Sequence, residues 1–320
     1  MKLNNLEDFI LSSTNSKEIL SFNKIQSLWS DYGEILKVNV KGNIPFTLII
    51  KNIVLPQNIN TDNNFSHQRK IKSYDNEINW YKYFSNVDNN SFKFPKCFGI
   101  KKDNNSFVLI IEDLDSLGYP VRLNNLNKKE AMLCLKWLAN FHAYFINTKS
   151  EYLWEIGTYW HLATRPDEFL KMKDSKLKEK AHEIDFILNN CSYKTLVHGD
   201  SKTANFCFSS NLNNVSAVDF QYVGHGCGMK DIAYFFDSAF IEKQCFDWEE
   251  ELLDYYFKEL NLSCTKYNKE INFSNLENEW RRLYSLCWAD FYRFLIGWIP
   301  NTNVFNDFNT QLIDKALKLL

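Results

Sequence analysis

The amino-acid sequence predicts an α+β fold, with an antiparallel sheet in its N-terminal part and a mainly helical C-terminal part. Short apolar runs separated by polar turns, which are typical of strands, dominate residues 1–112. Longer segments with apolar residues at helical spacing dominate residues 113–320. A chain of 320 residues is long enough for one large domain or for two lobes. We expect an N-terminal lobe over residues 1–112 and a C-terminal lobe over residues 113–320.

The composition limits the class of function and the environment of the protein. The net charge is −2, without the basic excess that is typical of general nucleic-acid binders. No stretch reaches the roughly 18 apolar residues of a transmembrane helix, and no signal-peptide pattern is visible. The 8 cysteines include no CxxC pair, which favours free thiols in a reducing compartment. We expect a cytoplasmic protein that neither binds nucleic acid nor inserts into a membrane; its oligomeric state stays open.

The N-terminal elements follow from local apolar patterns and from the polar turns between them. Gly33 closes a bend, and the run FTLIIKNIV is an apolar strand with a single cation. In chain order, the predicted elements are a partly helical lead-in (5–22), two strands around a bend at 30–33 (25–40), a third strand (46–54), an Asn-rich loop (55–65), a helix (67–84) and two further strands (94–100 and 106–112).

Lys51 is the one cation of the third predicted strand. A buried lysine is unfavourable unless an anion accompanies it. Glu77, in the following predicted helix, is a candidate partner. A lysine on an edge strand would explain Lys51 alone, whereas the pair, taken with the motifs further along the chain, favours a functional role.

The C-terminal elements are mostly helices. The clearest is the segment 127–147, whose apolar residues recur at helical spacing. The segment 278–298 is apolar on most sides and is predicted to be buried. In chain order, the predicted helices cover 127–147, 166–189 as one or two helices, a start at 231–238, 248–260 and 278–298.

The segment 196–221 contains the residues that suggest a chemistry. It predicts a strand that ends in the sequence HGD at Asp200, a loop to Asn205, and a hairpin whose second strand ends at Asp219. Phosphoryl transfer needs a carboxylate beside the acceptor hydroxyl and oxygen ligands that hold Mg²⁺ on ATP. Protein kinases use the same Asp, Asn and Asp order and spacing. We assign Asp200 as the catalytic base, and Asn205 and Asp219 as Mg²⁺ ligands.

These motifs resemble the aminoglycoside phosphotransferase and choline kinase superfamily, in which HGD replaces the HRD of protein kinases. The following segment 224–235, with Asp231 before Ile232 and Ala233, is similar to that group as well. The ecdysteroid kinase-like branch is the most similar, over about residues 33–290. The resemblance implies a two-lobed protein-kinase-like fold and the cofactors ATP and Mg²⁺.

The resemblance also implies which residues bind the nucleotide phosphates. Lys51 would contact the α and β phosphates and pair with Glu77. The hairpin that carries Tyr32 and Gly33 would cover the phosphates, although a single glycine also fits an ordinary turn. Many relatives have an aromatic residue or His at the position of Lys202. Lys202 would neutralise charge on the γ-phosphate or remain an exposed loop lysine.

Other positions take their roles from the same resemblance. Glu112 and Leu114 lie in the predicted link between lobes, whose backbone groups would bind the adenine edge. His142, in the sequence LANFHA, would support the catalytic hairpin, and Asp231 would brace the catalytic loop. Each position also has a purely structural interpretation. Glu112 would lie at an ordinary strand end, His142 would be a core histidine, and Asp231 would be an acid at a helix start.

The function expected from these residues is transfer of the γ-phosphate of ATP to a hydroxyl of a small molecule. The Trp- and Tyr-rich helix 278–298 suits either a cationic or an apolar acceptor, but core packing explains the aromatic residues equally well. The alternative is a catalytically inactive kinase fold that binds a nucleotide or a metabolite.

Overall fold

The computed structural model describes residues 3–28, 32–43, 45–55, 65–87, 90–103 and 105–320. Contacts divide the chain into two compact units. The first unit comprises Met1–Asn89, Lys93–Val121 and Cys207–Val218; the second comprises Asn90–Phe92, Arg122–Phe206 and Asp219–Leu320. A five-stranded sheet lies in the first unit and most helices in the second, which confirms the α+β class.

The first unit is built on an antiparallel sheet with strand order β1-β2-β3-β5-β4. Two helices precede or interrupt these strands. In chain order, the elements are α1 (Leu3–Thr14), β1 (Glu18–Ser27), β2 (Gly33–Lys41), β3 (Pro45–Val54), α2 (Phe65–Phe84), β4 (Cys97–Asp103) and β5 (Ser106–Glu112).

Two strand boundaries differ from the sequence prediction. Strand β1 begins at Glu18 rather than at residue 25, because it is an edge strand with mostly exposed side chains and lacks a clear apolar alternation. Strand β4 begins at Cys97 rather than at residue 94, after Pro95, which has no N–H to donate to a ladder. The predicted Asn-rich loop, apart from Leu55 and Phe65, lies outside the described residues, as do Ser30 and Asp31 of the predicted bend.

The two faces of the sheet pack against different helices. Leu6 and Ile10 of α1 join a core with Leu48 and Ile50 of β3. Because side chains alternate along a strand, Lys51 points to the opposite face, where Tyr74 and Ile78 of α2 form a second core cluster. This alternation places Lys51 on the side of the sheet that carries α2.

The hairpin of β7 (Phe206–Phe208) and β8 (Val215–Ala217) belongs to the first unit from Cys207 onward. The division into lobes at residue 112 stays a prediction. The N–H of Phe208 donates to the carbonyl of Val121 at 2.9 Å, and the N–H of Ala217 to the carbonyl of Lys93 at 3.0 Å. These backbone bonds attach residues 207–218 to the first unit, which therefore extends to Val121.

The second unit is mainly helical. A two-stranded sheet pairs β6 with β9, a strand that the sequence analysis did not identify. The final helix was also not predicted. In chain order, the elements are α3 (Lys128–Phe145), α4 (Pro166–Lys171), α5 (Lys176–Asn189), β6 (Thr195–Val197), β9 (Gly224–Gly226), α6 (Met229–Ala239), α7 (Glu242–Lys266), α8 (Phe273–Trp298) and α9 (Asp307–Leu317).

The helix starts and the core agree with the local sequence. Asn127 and Glu130 form a capping box at the start of α3, which satisfies N–H groups that have no partner within the helix. Helix α8 buries Trp280, Cys287 and Trp288, as its apolar sequence predicts. None of the eight cysteines forms a disulfide, and seven are buried. Within the described residues, every helix is too short or too polar to cross a membrane.

Candidate active site

The loop after β6 has a backbone conformation that requires glycine at its centre. Gly199 has φ +78°, and a Cβ atom there would lie 2.1 Å from the carbonyl oxygen of Tyr222. Because a side chain at this position would collide with backbone, the middle residue of the HGD sequence is fixed by geometry. The turn delivers Asp200 directly after the buried strand.

Asp231, in the first turn of α6, braces this loop. Its carboxylate accepts the N–H of His198 at 2.6 Å and the N–H of Gly199 at 2.9 Å, and its carbonyl accepts the hydroxyl of Ser201 at 2.8 Å. Burial alone would raise the pKa of Asp231, but its hydrogen bonds with His142 and Gly199 hold that pKa below its usual value. The expected brace is therefore present.

His142 holds Asp231 in turn. Its Nε2 lies 3.0 Å from Oδ2 of Asp231, and its Nδ1 lies 2.8 Å from the hydroxyl of Tyr256. The hydroxyl of Thr195, at the start of β6, donates to the carbonyl of His142 at 2.7 Å. Helix α3 therefore supports the HGD loop through His142, as expected.

The two carboxylate oxygens of Asp200 have different surroundings. Its Oδ2 accepts Nζ of Lys202 and Nδ2 of Asn205, both at 3.0 Å. Its Oδ1 is buried and has no hydrogen-bond partner among the described residues. Burial, followed by the nearby Asp219 carboxylate, raises the pKa of Asp200 to about 6, although Lys202 acts in the opposite direction.

Asn205 and Asp219 lie in the second unit with Asp200 and provide oxygen atoms suited to a hard cation. Because Nδ2 of Asn205 donates to the Asp200 carbonyl at 2.7 Å, its Oδ1 is left without a donor among the described residues. Asp219 adopts the left-handed conformation with φ +72°. Nowhere in the described chain do three or more His, Cys, Asp or Glu side chains form a metal cluster. Two such ligands completed by phosphate oxygens fit Mg²⁺.

Lys202 is neither a free surface lysine nor fully buried. Its side chain is 39% exposed, and its ammonium pairs with Oδ2 of Asp200 at 3.0 Å. Burial lowers the pKa of Lys202, but the charge and hydrogen bond of Asp200 more than offset this and raise it. Its contact with a γ-phosphate stays a prediction.

In the first unit, Lys51 and Glu77 form a buried ion pair. Nζ of Lys51 lies 2.6 Å from Oε1 of Glu77, and both residues are less than 10% exposed, at 7% and 1%. A buried pair of this kind is a weak source of stability because both charges lose hydration. The ion pair expected from the sequence is present. Because burial of both charges is unfavourable, the pair favours a functional role over a purely stabilising one.

The strand end at β5 offers one backbone donor. The carbonyl of Leu114 accepts the N–H groups of Leu117 and Tyr119, whereas the N–H of Leu114 has no acceptor in the described chain. The side chain of Glu112 is engaged by the N–H of Lys96 at 3.0 Å. Adenine binding by the backbone near Glu112 and Leu114 stays a prediction.

Tyr32 and Gly33 have structural partners within the first unit. The Tyr32 ring is buried beside Tyr74, and its hydroxyl hydrogen-bonds with Nδ1 of His67. Gly33 has φ +132°, and a Cβ atom there would lie 2.1 Å from the carbonyl oxygen of Asn52. Close approach of β2 to β3 thus explains the glycine, and phosphate binding by these two residues stays a prediction.

Asp113 has a structural role that the sequence did not predict. Asp113 is buried, and its Oδ2 accepts the hydroxyl of Thr47 at 2.7 Å and lies 2.8 Å from Nζ of Lys37. Burial raises the pKa of Asp113, but Lys37 and Thr47 together bring it below its usual value. Its partners are 66 and 76 residues away in the sequence (113 − 47 and 113 − 37), so local patterning carries no signal for this contact.

Three solved structures illustrate the similarity of the chain to known proteins. An aminoglycoside-3'-phosphotransferase of type VIII is 13% identical, with a TM-score of 0.48, over 85% of this chain and 98% of that one. Ethanolamine kinase from Plasmodium vivax is 16% identical, with a TM-score of 0.48, over 95% and 83%. An aminoglycoside phosphotransferase from Streptomyces rimosus, in complex with ADP and streptomycin, is 9% identical, with a TM-score of 0.48, over 90% and 99%.

Comparison with curated protein sequences gave no match. The sequence profile of the ecdysteroid kinase-like family, in contrast, matches residues 34–153 and 155–269. The match includes the Lys51–Glu77 pair and the segment from Asp200 to Asp231. It extends over more than half of the 320 residues, so the chain belongs to the ecdysteroid kinase-like family.

Proposed function

We propose that the protein transfers the γ-phosphate of ATP to a hydroxyl group of a small molecule. The observation that carries this proposal is the state of Asp200. One carboxylate oxygen is held by Lys202 and Asn205, and the other is buried without a partner among the described residues. A carboxylate fixed in this way is suited to orient a hydroxyl and accept its proton.

The proposed reaction uses Asp200 as the base. The acceptor hydroxyl loses its proton to Asp200 as its oxygen forms a bond to the γ-phosphorus, and the bond between this phosphorus and the leaving ADP oxygen breaks. The protonated Asp200 then returns the proton to water. The brace from Asp231 keeps the base in one orientation, which matters because phosphoryl transfer depends mainly on positioning.

Asn205 and Asp219 would hold Mg²⁺ through their side-chain oxygens. When bound, the ion neutralises charge on the phosphate oxygens. The Lys51 ammonium would contact the phosphates of ATP, held in place by Glu77. The free N–H of Leu114 would donate to the adenine edge. Only residues 220–230 separate Asp219 from Asp231, which leaves no room for a long activation segment, so we propose a small-molecule rather than a protein acceptor.

The state of the cysteines supports a reducing location. None of the eight forms a disulfide and seven are buried, and ATP is abundant in reducing compartments. We therefore propose that the protein acts in the cytoplasm.

The direct test is ATP consumption with a panel of alcohols. Purified protein with Mg²⁺ should form ADP and a phosphate monoester in equal amounts, detected by mass spectrometry. Lys51→Met should lower kcat/KM for ATP by about 100-fold, because the variant loses a charge-assisted phosphate contact. Lys243→Met, which removes a lysine whose side chain is 79% exposed, should leave the activity unchanged.

The same experiment separates the proposal from the alternative of an inactive binder. ATP with Mg²⁺ should raise the melting temperature whenever the nucleotide binds the folded state. Stabilisation by ATP without any phosphorylated product would favour a nucleotide-binding protein. Absence of both effects would refute the proposed function.

Replacement of Lys202 should change the pH dependence of the reaction. The base must be ionised, so kcat/KM should fall as the pH decreases through about 6, the pKa of Asp200. Lys202→Met removes the charge that lowers this pKa and should move the acidic limb upward by about one pH unit. The pH profile of kcat/KM checks this, with Lys243→Met as control. An unchanged limb would mean that Asp200 is not the group that titrates.

A further inference from the structure

Residues 157–159 form a short segment of the second unit that contacts the proposed catalytic loop; we call it the donor segment. Its three consecutive backbone N–H groups donate hydrogen bonds to three carbonyl groups of the same unit. These bonds run from Gly157 to His225 at 2.9 Å, from Thr158 to Tyr222 at 3.2 Å and from Tyr159 to Gly199 at 3.2 Å. Gly199 precedes Asp200, and Tyr222 follows Asp219 by three positions (222 − 219). The donor segment therefore connects the loop of the proposed base to the chain that carries a proposed Mg²⁺ ligand.

The donor segment holds two of these carbonyls at a nearly fixed separation. Neighbouring N–H groups belong to planar peptide units, so the distance between them is confined to narrow limits. Gly199 and Tyr222 accept neighbouring N–H groups and are therefore kept together. Asp231 binds the N–H of Gly199, whereas the donor segment binds its carbonyl. The proposed reaction depends on such positioning, because Asp200 and Asp219 must keep their spacing during phosphoryl transfer.

Thr158, in the middle of the donor segment, has a strained backbone. Its φ is +102°, a value that is an outlier for a β-branched residue. Its hydroxyl is buried and has no hydrogen-bond partner among the described residues, so this group does not offset the strain. A conformation of this kind persists only where the surrounding structure holds it, and such positions cluster at functional sites.

Two buried arginines bind the carbonyl groups at the end of the donor segment. Nε of Arg165 donates to the carbonyl of Tyr159 at 2.5 Å, and Nη2 of Arg293 donates to the carbonyl of Trp160 at 2.7 Å. Each arginine also pairs with an acid three positions away on the chain. The pairs are Arg165–Glu168 at 3.1 Å and Arg293–Asp290 at 2.9 Å. The donor segment is thus held in place through its carbonyls while its N–H groups bind the catalytic loop.

Arg293 and Asp290 of α8 bind Trp160 through both its backbone and its side chain. Oδ2 of Asp290 accepts the indole N–H of Trp160 at 3.2 Å, in addition to the bond from Arg293 to its carbonyl. Arg293 is 0% exposed and Asp290 is 1% exposed. Because burial of both charges is unfavourable, a pair of this kind is a weak source of stability. Its contacts with Trp160 favour a role in positioning.

We propose that Arg293 is a positioning residue for the reaction, which acts through Trp160 and the donor segment on Asp200 and on the chain after Asp219. Asp290 orients the guanidinium, since its Oδ1 accepts both Nε at 3.0 Å and Nη2 at 2.9 Å. This inference rests on the proposed function for its effect on turnover. It goes beyond that function by giving helix α8 a part in ordering the catalytic loop.

The double substitution Arg293→Met/Asp290→Asn tests this role. It removes the donor to the Trp160 carbonyl and both buried charges together, so no uncompensated charge is left in the core and the variant should fold. We expect kcat to fall about 10- to 100-fold, because a small displacement of a reacting group has an effect of that size. KM for ATP should stay unchanged, since the Lys51–Glu77 pair lies in the first unit.

Arg281→Met/Glu277→Gln is the matched control. These residues form another arginine–acid pair on α8, at 2.8 Å, but their side chains are 35% and 30% exposed. The control variant should keep the wild-type kcat and KM. If Arg293→Met/Asp290→Asn also kept the wild-type kcat, at a temperature at which it is fully folded, the proposal would be overturned.

Amide hydrogen exchange measures the positioning without turnover. In Arg293→Met/Asp290→Asn, exchange at residues 157–159 and 198–199 should become at least about tenfold faster than in the wild type, while exchange in α3 stays the same. Unchanged exchange at these amides would contradict the connection between α8 and the catalytic loop. Equal acceleration throughout the second unit would assign the ion pair a structural role and would also overturn the proposal.

Arg293→Lys decides the question if the double variant fails to fold. It keeps a charge beside Asp290 but replaces the planar fork of donors by a single ammonium group. We expect kcat to fall about three- to tenfold, with faster exchange at residues 157–159. Wild-type kcat and exchange in Arg293→Lys would refute the role of Arg293. If the wild type phosphorylated no alcohol, the proposed function would fail, whereas the exchange measurement would still test whether Arg293 orders the loop.

Discussion

Asp200→Asn is expected to lower kcat/KM by about three orders of magnitude or more and, at pH 8, to raise the free energy of unfolding. The loss of activity follows because an amide cannot accept the proton of the acceptor hydroxyl, and a positioned general base contributes about 10²- to 10⁴-fold. Asn keeps the size of the side chain and can still accept a hydrogen bond from Lys202.

The gain in stability has a separate cause. The pKa of Asp200 is about 6 in the folded protein against an ordinary value of 3.8, mainly because of burial. A carboxylate whose folded-state pKa is raised destabilises the fold once it ionises. The destabilisation develops between about pH 4 and pH 6 and is complete above that range. A shift of about two units corresponds to at most about 3 kcal/mol.

Chemical denaturation of wild type and variant from pH 4 to pH 8 measures this difference, and ATP turnover at pH 8 measures the activity. The stability difference should shrink toward pH 4, where Asp200 is protonated in the folded state and begins to be protonated in the unfolded state as well. Asp174→Asn, at an exposed position, should change neither quantity. A variant that loses activity together with stability at pH 8 would point to a structural role for Asp200.

The sequence predicted the parts of the candidate site whose residues lie close together in the chain or within strongly patterned elements. The HGD sequence, Asn205 and Asp219 lie within 22 consecutive residues (219 − 198 + 1), so strand and loop signals alone bring them to one region. Lys51 and Glu77 are 26 residues apart but are placed by two strong patterns, an apolar strand with one cation and a helix. The alternation of side chains along β3 then determines which face the lysine occupies.

The remaining features depend on contacts that local patterns do not encode. Asp113 is fixed by Thr47 and Lys37 from other strands of the sheet, and Asp237 by Tyr292 from another helix. An acid at the end of an element is common at the surface, so neither position stood out. Residues 207–218 likewise join the first unit through backbone hydrogen bonds to Lys93 and Val121, which are distant in the sequence.

Asp231→Asn should have the opposite effect on stability from Asp200→Asn while also lowering activity. The Asp231 carboxylate accepts the N–H groups of His198 and Gly199 through different oxygens. An amide has one oxygen, so its NH₂ group would face one of these donors and leave it buried without a partner. A lost charge-assisted bond and an unsatisfied donor together cost about 3 kcal/mol or more.

Thermal and chemical denaturation at pH 8 measure this loss, with Asp174→Asn again as the control. Activity should be assayed at a temperature at which the variant is fully folded. We expect kcat to fall about 10- to 100-fold there, because the HGD loop no longer holds Asp200 in a single orientation. If Asp231→Asn were as stable as the wild type, the proposal that Asp231 braces the HGD loop would be wrong.

The double variant Asp200→Asn/Asp231→Asn decides whether the brace acts through the base. If Asp231 serves only to position Asp200, its replacement should cost no further activity once the Asp200 carboxylate is gone, because residues that act as a unit are not additive in turnover. The two stability effects have opposite signs and should partly cancel, with any departure from additivity reporting their coupling through the shared loop. A further drop in the residual activity of the double variant would instead assign Asp231 a role of its own in the reaction.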